Sequence, residues 1–234
     1  MTRVLVPVAI LKGETVSAGL IDLLRTMDVT VLGYHVLPEQ TPPDQARAQF
    51  EERALDALGA ITEEFGEAGG DADQRLVFTH DREKTIHRIA AETGSGAYAI
   101  PGVTGPVERL LVPLTGDVAV ERIVAFVTEL IGDRAIEVTL FLAGSSDDTR
   151  PRLGEAADQL AAVDVAVTTR RAEGRPFEAL VEAVPGHDAI VMGEKAPSLS
   201  SLVFGEETDR VAAASVGPVL VVRRNEAQSD VRNG

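Results

Sequence analysis

Arg3-Val-Leu-Val-Pro-Val8 returns, nearly residue for residue, as Arg109-Leu-Leu-Val-Pro-Leu114. Each stretch is a continuous apolar run, the pattern of a strand buried on both faces. Each is followed by an amphipathic helical pattern and then a second apolar strand, Val29-Thr-Val-Leu-Gly-Tyr-His-Val36 or Val138-Thr-Leu-Phe-Leu142. Recurrence on this scale implies a half-length duplication.

Outward from Arg109, strands are expected at 108–114, 137–143, 164–170, 188–193 and 218–223, with helices at 117–132, 150–163, 175–185 and 206–215. Alternation of this kind predicts a parallel, doubly wound sheet with right-handed crossovers. From Arg3 the same order gives strands at 3–9, 28–37, 74–80 and 96–100 and helices at 14–27, 43–68 and 82–93. After Ala97-Tyr-Ala-Ile100 the chain passes through Pro101-Gly-Val-Thr-Gly-Pro106 directly into the next strand. A parallel crossover needs about 10–12 residues, so the first copy is expected to lack its last helix and strand. The predicted fold class is α/β, with two doubly wound, Rossmann-like repeats: a truncated one over 1–104 and a complete one over 105–224, before a polar, frayed tail over 225–234.

Composition narrows the function. The formal net charge is −15, and only Lys12, Lys84 and Lys195 of the 22 basic residues are lysines. So acidic a chain has no basic patch for nucleic acid or an anionic membrane. Acidic and lysine-poor together suggest adaptation to high intracellular salt, where such charge is screened over a few ångströms; a high-GC genome would also account for the arginine bias. The chain has no cysteine, hence neither a disulfide framework nor a thiolate nucleophile. No apolar stretch is long enough to span a bilayer and the opening run lacks a cleavage pattern, so a soluble, cytoplasmic protein without membrane insertion is expected.

Chemistry concentrates in Gly193-Glu-Lys-Ala-Pro-Ser-Leu-Ser-Ser-Leu-Val-Phe-Gly205-Glu206-Glu207, between an expected strand and an expected helix. Glycines let backbone approach a phosphate, and a helix N-terminus turns N–H groups toward it. Glu206 and Glu207 would instead repel an anion there.

Asp188-Ala-Ile-Val-Met-Gly193, the loop to Gly205 and Pro218-Val-Leu-Val-Val222 together resemble the universal stress protein family in tandem form. The resemblance implies a nucleotide loop after Gly193 and a last strand, Pro218 to Val222, that pairs across a homodimer. It also implies where this copy is degenerate. Ala196 stands where a second glycine is usual, and Gly205 fits the third. Glu206 replaces a phosphate-binding hydroxyl, and as an ionised carboxylate it only accepts hydrogen bonds. Ala9 and Thr115 occupy the positions where ATP-binding members carry an aspartate, and Asp117 caps the following helix. The degenerate nucleotide site is thus Thr115, Gly193, Ala196, Gly205 and Glu206.

Other candidates read as structural. His80 beside Asp81 suggests a base and its carboxylate, but neighbours leaving a strand point apart, and Asp81 opens a helix. His35, His87 and His187 lack metal spacing. Ser145-Ser-Asp-Asp148 and Ser198-Leu-Ser-Ser201 have turn composition. Arg170 and Arg171 end a strand as solvated or carboxylate-paired side chains. The expectation is a non-enzymatic stress-response regulatory or interaction protein with no catalytic residues, no metal and no cofactor. The alternatives are an ATP- or AMP-binding sensor or weak ATPase using the second repeat, and a soluble regulatory subunit of a membrane transporter.

Overall fold

A computed structural model describes residues 1–116, 118–144, 150–196 and 217–224. In chain order the elements are β1 (Arg3–Val8), α1 (Ala18–Leu24), β2 (Asp28–Val36), α2 (Pro43–Ala68), β3 (Ala72–Thr79), α3 (Arg82–Glu92), β4 (Ala97–Ile100), β5 (Arg109–Pro113), α4 (Val120–Ile131), β6 (Glu137–Ala143), α5 (Arg150–Ala161), β7 (Val167–Ala172), α6 (Pro176–Ala183), β8 (Ala189–Gly193) and β9 (Val219–Val222). The strands form one nine-stranded sheet in the order β3-β2-β1-β4-β9-β8-β5-β6-β7. All neighbours are parallel except β4 and β9, which run antiparallel with Ala97 opposite Val222 and Ile100 opposite Val219. The chain is therefore a mixed α/β protein whose sheet has a run of four strands and a run of five, joined at one antiparallel seam.

The apolar runs explain the sheet's centre. Val4, Leu5, Val6, Leu110, Leu111, Val112, Val191, Met192, Leu220 and Val221 are fully buried. Burying each such side chain contributes about 1.5–3 kcal/mol. Helices α2, α1, α4 and α5 touch in that order along one face. Arg134 fastens the middle pair: its guanidinium donates to Asp22 O at 2.7 Å and Leu23 O at 2.9 Å in the last turn of α1, and to Ile131 O at 3.1 Å at the end of α4. Desolvation, reinforced by nearby Arg25, lowers the pKa of Arg134 from its usual value.

At the seam, backbone packs on backbone. A Cβ on Gly217 would lie 1.8 Å from Asp188 O, and one on Gly102 would lie 2.6 Å from the Gly217 carbonyl carbon. Residues 101–106 form no strand. The Ser17 hydroxyl donates to Gly102 O at 3.0 Å, and a Cβ on Gly19 would meet Gly105 O at 1.8 Å. The link lies across the start of α1.

Four expectations change. The last strand does not offer an edge for a homodimer: Val219–Val222 pairs with β8 on one side and β4 on the other, so both its hydrogen-bonding edges are filled within the chain. The helix expected at 14–27 shortens to Ala18–Leu24, because a 3-10 turn at Ile10–Lys12 ends on Gly13 in the left-handed region, φ +72. The helix expected at 117–132 begins at Val120. The strand expected at 164–170 starts at Val167, since residues 162–165 close α5: Asp164 adopts φ 61, and Val165 N donates to Leu160 O at 3.2 Å. The helix expected at 206–215 and the tail lie outside the described residues.

Candidate functional site: the strand-end hollow beside Gly193

In an open α/β sheet, ligands bind beyond the carboxyl ends of strands where the winding direction reverses. In the five-stranded run that point lies between β5 and β8, which pair through Leu110 with Ala189 and Leu111 with Ile190. A shallow surface hollow opens there, too tight to enclose a ligand, lined by Val118, Ala119, Ile123, Gly193, Glu194 and Arg223 among others; small-molecule pockets usually run from about 300 to 1,000 Å³.

Gly193 ends β8, and its backbone is not in the left-handed region. Its lack of a side chain has a packing cause instead. A Cβ there would stand 3.0 Å from Val118 Cγ1, 3.1 Å from Val118 Cβ and 3.3 Å from Ile123 Cδ1. The connection from β5 into α4 thus rests its apolar side chains on the strand end that a ligand would approach. Ala196 is buried, and its N–H donates to Gly193 O at 2.9 Å, closing a turn. The Thr115 hydroxyl accepts from Ala143 N at 2.8 Å, tying the end of β5 to that of β6. Ala9, its counterpart after β1, donates its N–H to the Glu14 carboxylate. Gly205, Glu206, Asp117 and both serine-rich loops, 145–148 and 198–201, lie outside the described residues.

A charged network rims the hollow. The Glu194 carboxylate lies 3.2 Å from His87 Nδ1 and 3.9 Å from Arg223 Nε, and accepts from Arg224 N at 3.1 Å. Arg223 also donates to Ser95 O at 3.0 Å, so the network spans the β4–β9 seam. The Tyr98 ring meets the His87 imidazole edge-on at 5.7 Å. The Tyr98 hydroxyl is buried without a hydrogen-bond partner among the described residues, and that burial, reinforced by Glu194, pushes its pKa strongly upward. Sequence reasoning passed over Glu194, Arg223 and Tyr98 and took His87 as an ordinary helix residue. The available signal was that Glu194 and Arg223 each follow the end of an apolar strand; only the pairing of Gly193 with Val222 makes them neighbours.

The remaining candidates have local partners. Asp81 accepts from Lys84 N at 3.0 Å as the N-cap of α3, and this bond, with the nearby Lys84 ammonium, holds its carboxyl below the ordinary value. His80 donates Nδ1–H to Leu37 O at 3.3 Å rather than to Asp81. His35 packs between Phe50 and Phe78. His187 donates from Nδ1 to Ala183 O and meets the Thr139 hydroxyl through Nε2. Among the described residues no group of three or more metal-ligating side chains converges, and no helix is long and apolar enough to cross a membrane.

The sequence profile of the universal stress protein family matches residues 106–223, β5 through β9. The chain belongs to the universal stress protein family. No curated protein matches it in sequence. Among solved structures, a universal stress protein from Archaeoglobus fulgidus DSM 4304 is 16% identical, with 97% of each chain covered and a TM-score of 0.65. The cytoplasmic domain of a prokaryotic cation chloride cotransporter is 14% identical, with 94% of each chain covered and a TM-score of 0.53. At these identities the likenesses show the fold, which extends over the four-stranded run as well as the five-stranded universal stress protein domain.

Proposed function

We propose that this chain is a tandem universal stress protein, its first copy truncated, that acts in stress physiology as a non-enzymatic regulatory or interaction module and needs no bound nucleotide. One observation carries the reading: Val118 and Ile123 occupy the space against Gly193. Two further features support it. The Thr115 hydroxyl is engaged with Ala143 N, and in sequence Ala196 and Glu206 replace a glycine and a hydroxyl of the family's loop.

Titration calorimetry with Mg-ATP tests this. The wild type should show no dissociation constant below about 1 mM, equivalent to roughly −4 kcal/mol. Replacing Glu206 by serine and Ala196 by glycine, with Val118→Ala to open the strand end, should bring measurable binding. Sub-millimolar affinity in the wild type would overturn the reading in favour of a nucleotide sensor or weak ATPase.

A second reading has one specific support, the likeness along nearly the whole chain to a cotransporter's cytoplasmic domain. The module then docks on a membrane transporter, an inference by fold analogy. Affinity purification from detergent-solubilised membranes of the source cell would carry a transporter with the tagged chain if this holds, and none if it fails.

A further inference from the structure

The sheet has two edge strands, β3 and β7, and they are finished differently. On β3, Asp73 pairs with Arg3 at 2.7 Å, Gln74 meets the Thr62 hydroxyl at 3.2 Å, and α2 packs along the strand. On β7 the four central residues, Thr168, Thr169, Arg170 and Arg171, are all exposed. Successive strand residues point to opposite faces, so Thr168 and Arg170 occupy one face and Thr169 and Arg171 the other. Neither arginine makes a hydrogen bond or ion pair with the described residues.

The backbone of β7 is equally open. Val138 N donates to Ala166 O and Gly144 N donates to Ala172 O, so the even-numbered residues of β7 turn their peptide groups toward β6. In a parallel ladder the alternation leaves the N–H and C=O of Val167, Thr169 and Arg171 facing outward. An exposed row of this kind is a template for an added strand. A second copy of β7 would bring Arg170 and Arg171 against like charges. An acidic strand would bring the opposite sign to a basic strand on a chain whose net charge is −15.

We propose that β7 is a docking edge for an extended, acidic segment of a partner protein, one with two adjacent carboxylates. Adjacent residues of the added strand lie on opposite faces, so one carboxylate meets Arg170 and the next meets Arg171. The partner's backbone hydrogen-bonds with Val167, Thr169 and Arg171. This inference goes beyond the proposed function and does not depend on the state of the hollow beside Gly193, which lies on the other side of β5 and β6 from β7.

The test uses the whole protein and three fluorescent hexapeptides, Thr-Val-Glu-Glu-Val-Thr, its Lys-Lys counterpart, and the acidic peptide with N-methylated backbone. Anisotropy should show binding of the acidic peptide only. Hydrogen exchange at the Thr169 and Arg171 amides should slow in its presence. Arg170→Glu with Arg171→Glu, both at exposed positions, should leave thermal stability unchanged, weaken the acidic peptide about tenfold and admit the Lys-Lys peptide. Equal binding of the N-methylated peptide, without amide protection, would reduce the site to simple charge attraction and overturn strand addition. No binding of the acidic peptide at millimolar concentration would overturn the proposal outright, and leave the arginines as guards against edge pairing.

Discussion

Both runs of the sheet have a crevice where the winding reverses, between β1 and β4 in one and between β5 and β8 in the other, and the two are closed by different materials. Over the first, the link 101–106 lays backbone on backbone, with Gly19 leaving room only for Gly105 O; at the neighbouring seam the same link meets Gly217 through Gly102. Over the second, side chains do the filling, with Val118 and Ile123 against Gly193 and the Glu194–His87–Arg223 network along the rim. Rigid backbone cannot yield to an added atom, whereas side chains rotate and shift. The first crevice is thus a structural joint, and the second is a surface that substitution can reshape.

The largest expected effect breaks or upholds that contrast directly. Gly19→Ala should cost about 3 kcal/mol or more in urea unfolding, because its Cβ would overlap a carbonyl oxygen; the gain in helix propensity of about 1 kcal/mol does not offset it. Gly193→Ala meets side chains at 3.0–3.3 Å and should cost only about 1 kcal/mol. Equal penalties would erase the distinction.

Next in size is the clamp that joins the runs. Arg134→Ala removes a guanidinium donor from the carbonyls of Asp22, Leu23 and Ile131; Asp22 O keeps Arg25 N and Ile131 O keeps the N–H of residue 134, so the cost falls mainly on Leu23 O and should be about 1–2 kcal/mol. Unfolding should then become less cooperative, since α1 and α4 lose a shared contact. A single sharp transition with unchanged midpoint would show that the β4–β9 pairing and the other contacts across the seam join the runs without Arg134.

Salt separates packing from charge. With 37 acidic residues against 22 basic ones, raising potassium chloride from 0.01 to 1 M should raise the melting temperature by several degrees, the scale of about 1–2 kcal/mol for a chain of this size. The gap between Gly19→Ala and Gly193→Ala should stay constant throughout, because neither clash involves charge. A flat wild-type melting curve across that range would refute the halophilic reading.

The smallest effect belongs to the helices that lead back into each crevice. α3 begins on Asp81, which caps it with a carboxylate, while α6 begins after Arg175 with no side-chain cap. The Asp81 pKa is lowered from 3.8, so the stability it adds is present above its unfolded value and is lost as pH falls through the folded one. Asp81→Asn keeps an acceptor but cannot titrate, so below about pH 4 its stability should fall less steeply than the wild type's. Identical acid limbs, measured by chemical unfolding from pH 5 to 2, would remove that difference between the runs.

Much of the architecture was legible before any coordinate. The apolar runs at Val4–Val8, Leu110–Val112, Ala189–Met192 and Val219–Val222 read as buried strands because a strand covered on both faces has no polar alternation to hide it. α2 was placed at Pro43–Ala68 from its opening proline and its length. Boundaries failed where a left-handed residue decided them, at Gly13 and Asp164. At the candidate site, Gly193 was read as a glycine facing a nucleotide loop. Its packing cause was invisible, since Val118 and Ile123 reach it from a distant part of the chain.

By itself, the sequence determined most of the secondary elements and the absence of a fifth strand between Ile100 and Val107, because these depend on local periodicity and on how far six residues can reach; the family came from the resemblance of its motifs between Asp188 and Val222. Only the tertiary structure decided that β9 lies against β4 as well as β8, which removes the last strand from edge pairing across a dimer. It alone brought Glu194 to His87 and Arg223, laid Val118 on Gly193, and placed the exposed Arg170 and Arg171 on an edge strand. The reason is physical: strand order and register set which residues distant in sequence become neighbours, and one further strand in the first run would have changed every contact at the seam.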